Sequence, residues 1–252
     1  MVEILTVSIL IGLIFAPLGC FVLWKGYVYY SDGLAHASML AATIGVIAGL
    51  PLLYSGIINT MFFALLVFKI RNKSGNSASI GLVSSIMMSI ALILSHIFPG
   101  QFNLENLLFG DIFATDYHDI IILLIIIIIA ACFIWFNYNN LIITILSRDI
   151  AHSRGIRVNR IELLFLTILS FSVLVTVKIV GALLVTSIIL IPPMIARLVS
   201  KSPMTMICLS VIFAQFMNLC GILLSLYADL PFAPIIILCG GFIYGTLLII
   251  FN

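Results

Sequence analysis

The stretch "LLFLTILSFSVLVTVKIVGALLVTSIILIPPMIA", Leu163–Ala196, runs 34 residues with one charge in it, Lys178. As a single helix at 1.5 Å per residue it would extend about 51 Å, against a bilayer hydrocarbon core about 30 Å thick. A run this apolar belongs in lipid, and it is too long for one crossing. It must break, and Lys178 with Gly181 marks the place, which gives spans near 163–179 and 181–196.

The rest of the chain has the same character. Hydrophobic residues make up 63% of the 252 and charged residues only 8%, where a soluble domain carries roughly 25% charged residues. So little polar surface could not keep the chain in water. Crossings of about 20 mainly apolar residues fall near 2–23, 33–50, 52–70, 80–97 and 120–136 before the long run, and near 204–227 and 235–251 after it. The expectation is an all-α polytopic membrane protein with about nine transmembrane helices, forming a single domain over 1–252.

Charge orients the spans. Lys25 follows the first crossing; Lys69, Arg71 and Lys73 follow the third; Arg148, Arg154, Arg157 and Arg160 follow the fifth; Arg197 and Lys201 follow the seventh. With nine crossings these loops share one side, which the positive-inside rule makes the cytoplasm. Lys178 alone departs from the pattern. The N-terminus is then outside and the C-terminus inside. Glu3, Glu105, Asp111, Asp116, Asp119 and Asp229 fall on the outer side, where an acidic mouth would concentrate cations; ordinary solvated loop ends are the plainer reading. The net charge of +2 is too small to call for nucleic acid.

Within "YYSDGLAHASML", Tyr29–Leu40, Asp32 and His36 stand four residues apart and so share one face of a helix. Ionisable groups inside a span are expensive and point to function. Beside them Gly33, Ala37, Ala41, Gly45 and Gly49 make a small-residue stripe that lets membrane helices approach closely. The pair lies about 100° round the helix from that stripe, which favours the bundle interior over lipid. Carboxylate with imidazole is a usual ligand set for Zn²⁺ and acceptable for Mn²⁺ or Fe²⁺. The alternative is a structural pair in which Asp32 merely caps the helix. His96 and His118 end or precede outer span ends and His152 lies in a basic loop, where structural or solvated roles are the default.

That loop, "SRDIAHSRGIRVNR" (Ser147–Arg160), is the longest charged stretch. Asp149 reads as the cap of a short helix and Gly155 as its terminator, an amphipathic piece suited to docking another protein. No Gly-x-x-x-x-Gly-Lys-[Ser/Thr] loop occurs, so ATP is not bound by that route, and neither His-Glu-x-x-His nor Gly-x-Ser-x-Gly is present to suggest a hydrolase. Cys20, Cys132, Cys208, Cys220 and Cys239 show no Cys-x-x-Cys spacing and read as small buried hydrophobes. "APLGC" at Ala16–Cys20 faintly resembles a lipoprotein processing site, but the only early charge is Glu3 and a signal peptide needs a basic start.

Five blocks together resemble a known family. They are "GCFVLWKGYVYYSDGLAHASMLA" with its Gly/Ser-Asp-x-Leu-x-His-Ala signature, "LLFGDI" (Leu107–Ile112), "SRDIAHSRGIRVNR" with an Ala-x-x-x-Gly element from Ala151 to Gly155, "KIVGALLVTSIILIPPMIAR" (Lys178–Arg197) and "DLPFAPIIIL" (Asp229–Leu238). In this order, over nearly the whole chain, they are similar to the membrane subunit of bacterial ABC importers for zinc, manganese or iron, most nearly the zinc-uptake branch. Ser31 departs from the family's frequent Gly. The resemblance implies the vitamin- and siderophore-type importer permease fold in the bacterial inner membrane. It implies a homodimer working with two copies of an ATP-binding subunit and with a periplasmic or lipoprotein metal-binding protein. Asp32 and His36 match the Asp and His held to bind metal in the pathway of manganese-transporting relatives. The segment 147–160, with Asp149, Ala151 and Gly155, corresponds to the piece that docks on the ATPase. The chain would then be a transporter subunit rather than an enzyme, with no permanent cofactor and Zn²⁺ (or Mn²⁺/Fe²⁺) as cargo. Rival readings are a permease for a chelated metal or cobalamin with a wider channel, a scaffold without transport, and a proton-coupled carrier using Asp32 and His36 as a proton relay. A secondary carrier has no use for an ATPase-docking loop.

Overall fold

The computed structural model describes residues 2–98, 117–228 and 232–251; the "LLFGDI" block, Glu105, Asp111, Asp116 and Asp229 lie outside them. The described residues form α1 (Val2–Lys25), α2 (Tyr30–Ala48), α3 (Leu52–Ser74), α4 (Asn76–Ile97), α5 (Tyr117–Leu146), α6 (Arg148–Ser153), α7 (Val158–Val199), α8 (Pro203–Ala228) and α9 (Phe232–Phe251). Eight stretches of the described residues are long and apolar enough to cross a membrane, and Leu184–Val199 adds a shorter apolar helix. Only helices appear among the described residues, as lipid demands of a backbone that must satisfy its own hydrogen bonds.

The long run breaks where expected. Gly181 sits at φ 80°, ψ 162° inside α7, a backbone region essentially open only to glycine. Two boundaries differ from the sequence reading. Residues 71–79 do not form a loop: α3 continues to Ser74, α4 starts at Asn76, and Gly75 at φ 81° makes the whole turn. Polar residues at the watery end of a helix cost little, so their run here does not stop the helix; the positive φ does. Likewise α5 extends past 136 to Leu146, through Asn137–Asn140, with Asn137 Nδ2 bonded to the Phe133 carbonyl one turn back at 3.1 Å.

The chain divides into two compact units. One comprises Trp24–Leu104 and Ile128–Leu174. In it α2 packs against α3 and α4 along the small-residue stripe: Gly33, Ala37, Ala41 and Gly45 are all buried. A Cβ on Gly33 would stand 2.7 Å from Ile80 Cγ2, and one on Gly45 2.7 Å from Ser55 Oγ, so close backbone approach is what these residues supply. Asn59 Nδ2 closes the contact with a 2.8 Å bond to the Ala37 carbonyl. Gly49 is not part of the stripe. At φ 64° it ends α2, its N–H turned back to the carbonyls of Gly45 and Val46.

The other unit comprises Met1–Leu23, Glu105–Ile127 and Val175–Asn252. Here small residues on α1, α8 and α9 again set the packing: a Cβ on Gly19 would overlap the Ile189 carbonyl, and one on Gly221 would overlap Ile236. Polar side chains of α8 donate to α1 carbonyls, Asn218 Nδ2 to Ser8 at 2.8 Å, Gln215 Nε2 to Ile9 at 3.0 Å and Ser210 Oγ to Ala16 at 3.2 Å. Such bonds hold membrane helices together where burial from water cannot.

Candidate functional site

Gly26, at φ 70°, turns the chain from α1 into α2. The N-cap of α2 is Tyr29, with no side-chain capping bond, so Asp32 is not the cap. It lies in the first turn, where a carboxylate complements the helix dipole, and His36 lies one turn further. The two meet: His36 Nε2 stands 3.7 Å from Asp32 Oδ2. That is too long for a hydrogen bond but shorter than two metal–ligand bonds of about 2.1 Å laid end to end, so one ion fits between both atoms without backbone change. The side chains are 37% exposed for His36 and 57% for Asp32. The expected placement in the interior is therefore not met within this chain. The small stripe takes the face against α3 and α4, and a group 100° round the helix is left on its open side. Ser31, by contrast, is buried, and its hydroxyl has no hydrogen-bond partner. Among the described residues no third His, Cys, Asp or Glu joins the pair. His96, His118 and His152 are each exposed.

The segment after α5 folds as a complete capped helix. Ser147, extended at φ −159°, is the N-cap, its Oγ accepting the Ile150 N–H at 3.4 Å; Asp149, expected as the cap, sits in the first turn instead. At the other end the Gly155 N–H bonds the His152 carbonyl at 2.9 Å and the Ile156 N–H bonds the Ala151 carbonyl at 3.0 Å. With Gly155 at φ 73° this is the Schellman closure. Ala151 is fully buried and anchors the helix, while Asp149, Ile150 and His152 are exposed.

One feature the sequence reading missed lies where α6 meets the bundle. Glu162, buried in the first turns of α7, pairs with Arg71 of α3 and, through Oε2, with Arg148 Nη2 of α6 at 2.7 Å. Its Oε1 accepts the Tyr27 hydroxyl at 2.7 Å, and Arg71 Nη1 donates to the same hydroxyl at 2.9 Å. Burial, and then the charge of Glu162, push the Tyr27 phenol up from its ordinary value, so it stays a donor. Asn76 Nδ2 bonds the Lys25 carbonyl at 2.8 Å beside them. The signal was a lone acid in "NRIELLF" beside apolar residues, which looks like any solvated span end. A buried ion pair gains little over a hydrophobic contact, but breaking one costs 3–5 kcal/mol or so, so these elements are tied firmly. The cluster brings together the end of α3, the starts of α6 and α7 and the turn before α2, with Asp32 and His36 only about 3–9 Å along α2 from its start.

The pattern that defines the ABC 3 transport family (ABC-3) matches residues 1–251. The chain is 26% identical over 243 residues to the high-affinity zinc uptake system membrane protein ZnuB of Haemophilus influenzae, covering 95% of this chain and 93% of that one. It is 24% identical over 246 residues to the manganese transport system membrane protein MntC of Halalkalibacterium halodurans, covering 96% and 84%. Among solved structures, PsaBC from Streptococcus pneumoniae in complex with Fab superposes with a TM-score of 0.83 at 23% identity, covering 97% of this chain and 89% of that one.

Proposed function

This chain belongs to the ABC 3 transport family, and on that premise we propose that it is the membrane-spanning subunit of an ATP-driven importer carrying a divalent transition metal, Zn²⁺ first, into the cytoplasm. The observation that carries the reading is the Asp32–His36 pair, 3.7 Å apart on an open face of α2 and at the same end of its unit as the capped α6. A carboxylate and a neutral imidazole offset part of an ion's lost hydration, and a pair from this chain falls short of the closed four-ligand shell of a structural site, so the ion stays free to depart, as transport requires. Zinc is favoured by the imidazole and by the relatives named for zinc uptake; Mn²⁺ and Fe²⁺ suit the same pair less well.

The chain works as a homodimer whose pathway is lined partly by Asp32 and His36, with the remaining coordination supplied from outside this chain. A metal-binding protein delivers the ion on the outer face, and two ATP-binding subunits act on the 147–160 segment, where Asp149, Ala151 and Gly155 build the docking helix. The basic residues put that segment in the cytoplasm, the N-terminus outside and the C-terminus inside. Thiols placed at Ser74 and His152 are expected to react only from the cytoplasmic side; labelling from outside in intact cells would reverse the orientation.

The functional test is uptake into proteoliposomes containing this chain with its ATPase and binding protein. Zinc is expected to accumulate only with ATP. Accumulation driven by a proton gradient without ATP would make the chain a secondary carrier, and no accumulation of zinc, manganese or iron would end the metal reading.

A further inference from the structure

We propose that Glu162 is the positioning residue through which α6 moves the head of α2, and with it Asp32 and His36. The proposal rests on the importer reading for its driving force, since the ATPase is what would displace α6. The path is short and continuous. Arg148, the first residue of α6, holds Glu162 Oε2 at 2.7 Å, and Glu162 Oε1 holds the Tyr27 hydroxyl at 2.7 Å. The Tyr27 carbonyl then accepts the Tyr30 N–H at 2.9 Å, the bond of the turn that starts α2. The Tyr27 and Tyr30 rings meet edge to face at 6.1 Å, and the Tyr30 hydroxyl is bonded to Ser170 Oγ at 2.6 Å. Asp32 follows two residues later.

Three features make this a joint rather than a static brace. The Arg148 side chain is 46% exposed while Glu162 is 7% and Arg71 2% exposed, so α6 holds the one end of the cluster that a partner can reach. A cavity of about 490 Å³ beside Arg148, lined also by Lys25, Asn72, Asn76 and Thr144, gives the guanidinium room to swing. Asn72 Oδ1, already 3.4 Å from Arg148 Nη1, offers a second acceptor. Arg148 bonds Asn72 through Nη1 and Glu162 through Nη2 at once, and Glu162 would keep Arg71 and Tyr27 if Arg148 turned away, so release of α6 would define a second arrangement beside the one seen. Coupling between sites needs such an element with discrete arrangements.

A thiol at position 29 reports the head of α2, with the exposed Cys132 and Cys208 replaced by serine. In the full complex, trapping ATP on the ATPase is expected to change the labelling rate of Tyr29→Cys. Arg148→Ala and Tyr27→Phe cut the path on either side of Glu162 and leave its ion pair with Arg71. Tyr27→Phe is expected to retain the ATPase and its hydrolysis of ATP, while in both variants the response at position 29 and the zinc taken up per ATP fall by about tenfold, within the usual range of coupling between sites. Arg148→Lys should restore most of the response. Tyr27 is wholly buried and can touch no partner, so a parental response in Tyr27→Phe would reduce Arg148 to a docking contact and overturn the proposal. Absence of any ATP-dependent change at position 29 in the parental complex would overturn it as well. A parental complex that responds at position 29, loses that response in both variants and yet moves no metal would support the joint and sink the substrate reading instead.

Discussion

Asp32→Ala and His36→Ala are each expected to remove at least about nine-tenths of zinc uptake while leaving the chain assembled in the membrane with its ATPase. The two side chains face away from the packed side of α2 and are 57% and 37% exposed, and substitutions at such positions usually change stability by no more than about 0.5 kcal/mol. Their loss falls on the ion instead. Even residues that only support a metal ligand are worth about 10–100-fold in affinity or activity, and this chain offers only one other group at the site to replace a lost ligand. Because one ion uses both groups at once, the double variant should be little worse than either single one. Uptake measured with radioactive zinc at matched expression decides it: parental rates in both single variants would leave the pair as surface groups of a helix head.

Gly155→Val is expected to abolish association with the ATPase, or to leave it bound and uncoupled, whereas Gly155→Asn should stay close to the parental chain. No atom lies within 4 Å of where a Cβ at Gly155 would be, so the effect is one of backbone conformation. An L-residue in the left-handed region costs about 1–2 kcal/mol, more if β-branched, while Asn tolerates it. With only six residues, α6 has few internal bonds to oppose that cost, and the two closing bonds at His152 and Ala151 go first. Co-purification of the ATPase and the rate of ATP-driven uptake are the measurements. Normal values for Gly155→Val would remove α6 from the transport cycle, and equal damage from valine and asparagine would point to lost flexibility rather than to the left-handed turn.

The features legible in the chain before any coordinates were those set within one helix or by the solvent. Lipid as solvent follows from composition, and the break near Gly181 follows from the thickness of a bilayer. The shared face of Asp32 and His36 follows from the period of a helix. The stop at Gly155 follows from the ease with which glycine takes a positive φ. Each depends on composition, on the length of one run, or on residues a few positions apart, and none on which helices meet. At 71–79 the polar run implies a loop, yet the one residue that breaks the helix there is Gly75.

What needed the folded chain was the pairing of helices. The stripe on α2 declared that something packs closely, yet its partners, Ile80 on α4 and Ser55 on α3, and the consequent opening of the Asp32–His36 face, come from three helices fitting together. The Glu162 cluster was harder still. Tyr27 and Glu162 are 135 positions apart, and each of Tyr27, Arg71, Arg148 and Glu162 taken singly looks like a solvated end of a span. A charge at a helix end satisfies the membrane equally well facing water or facing an opposite charge, so local sequence does not distinguish the two. Only the side-by-side arrangement of four helix ends turns Glu162 from a solvated acid into a buried carboxylate held by two guanidinium groups.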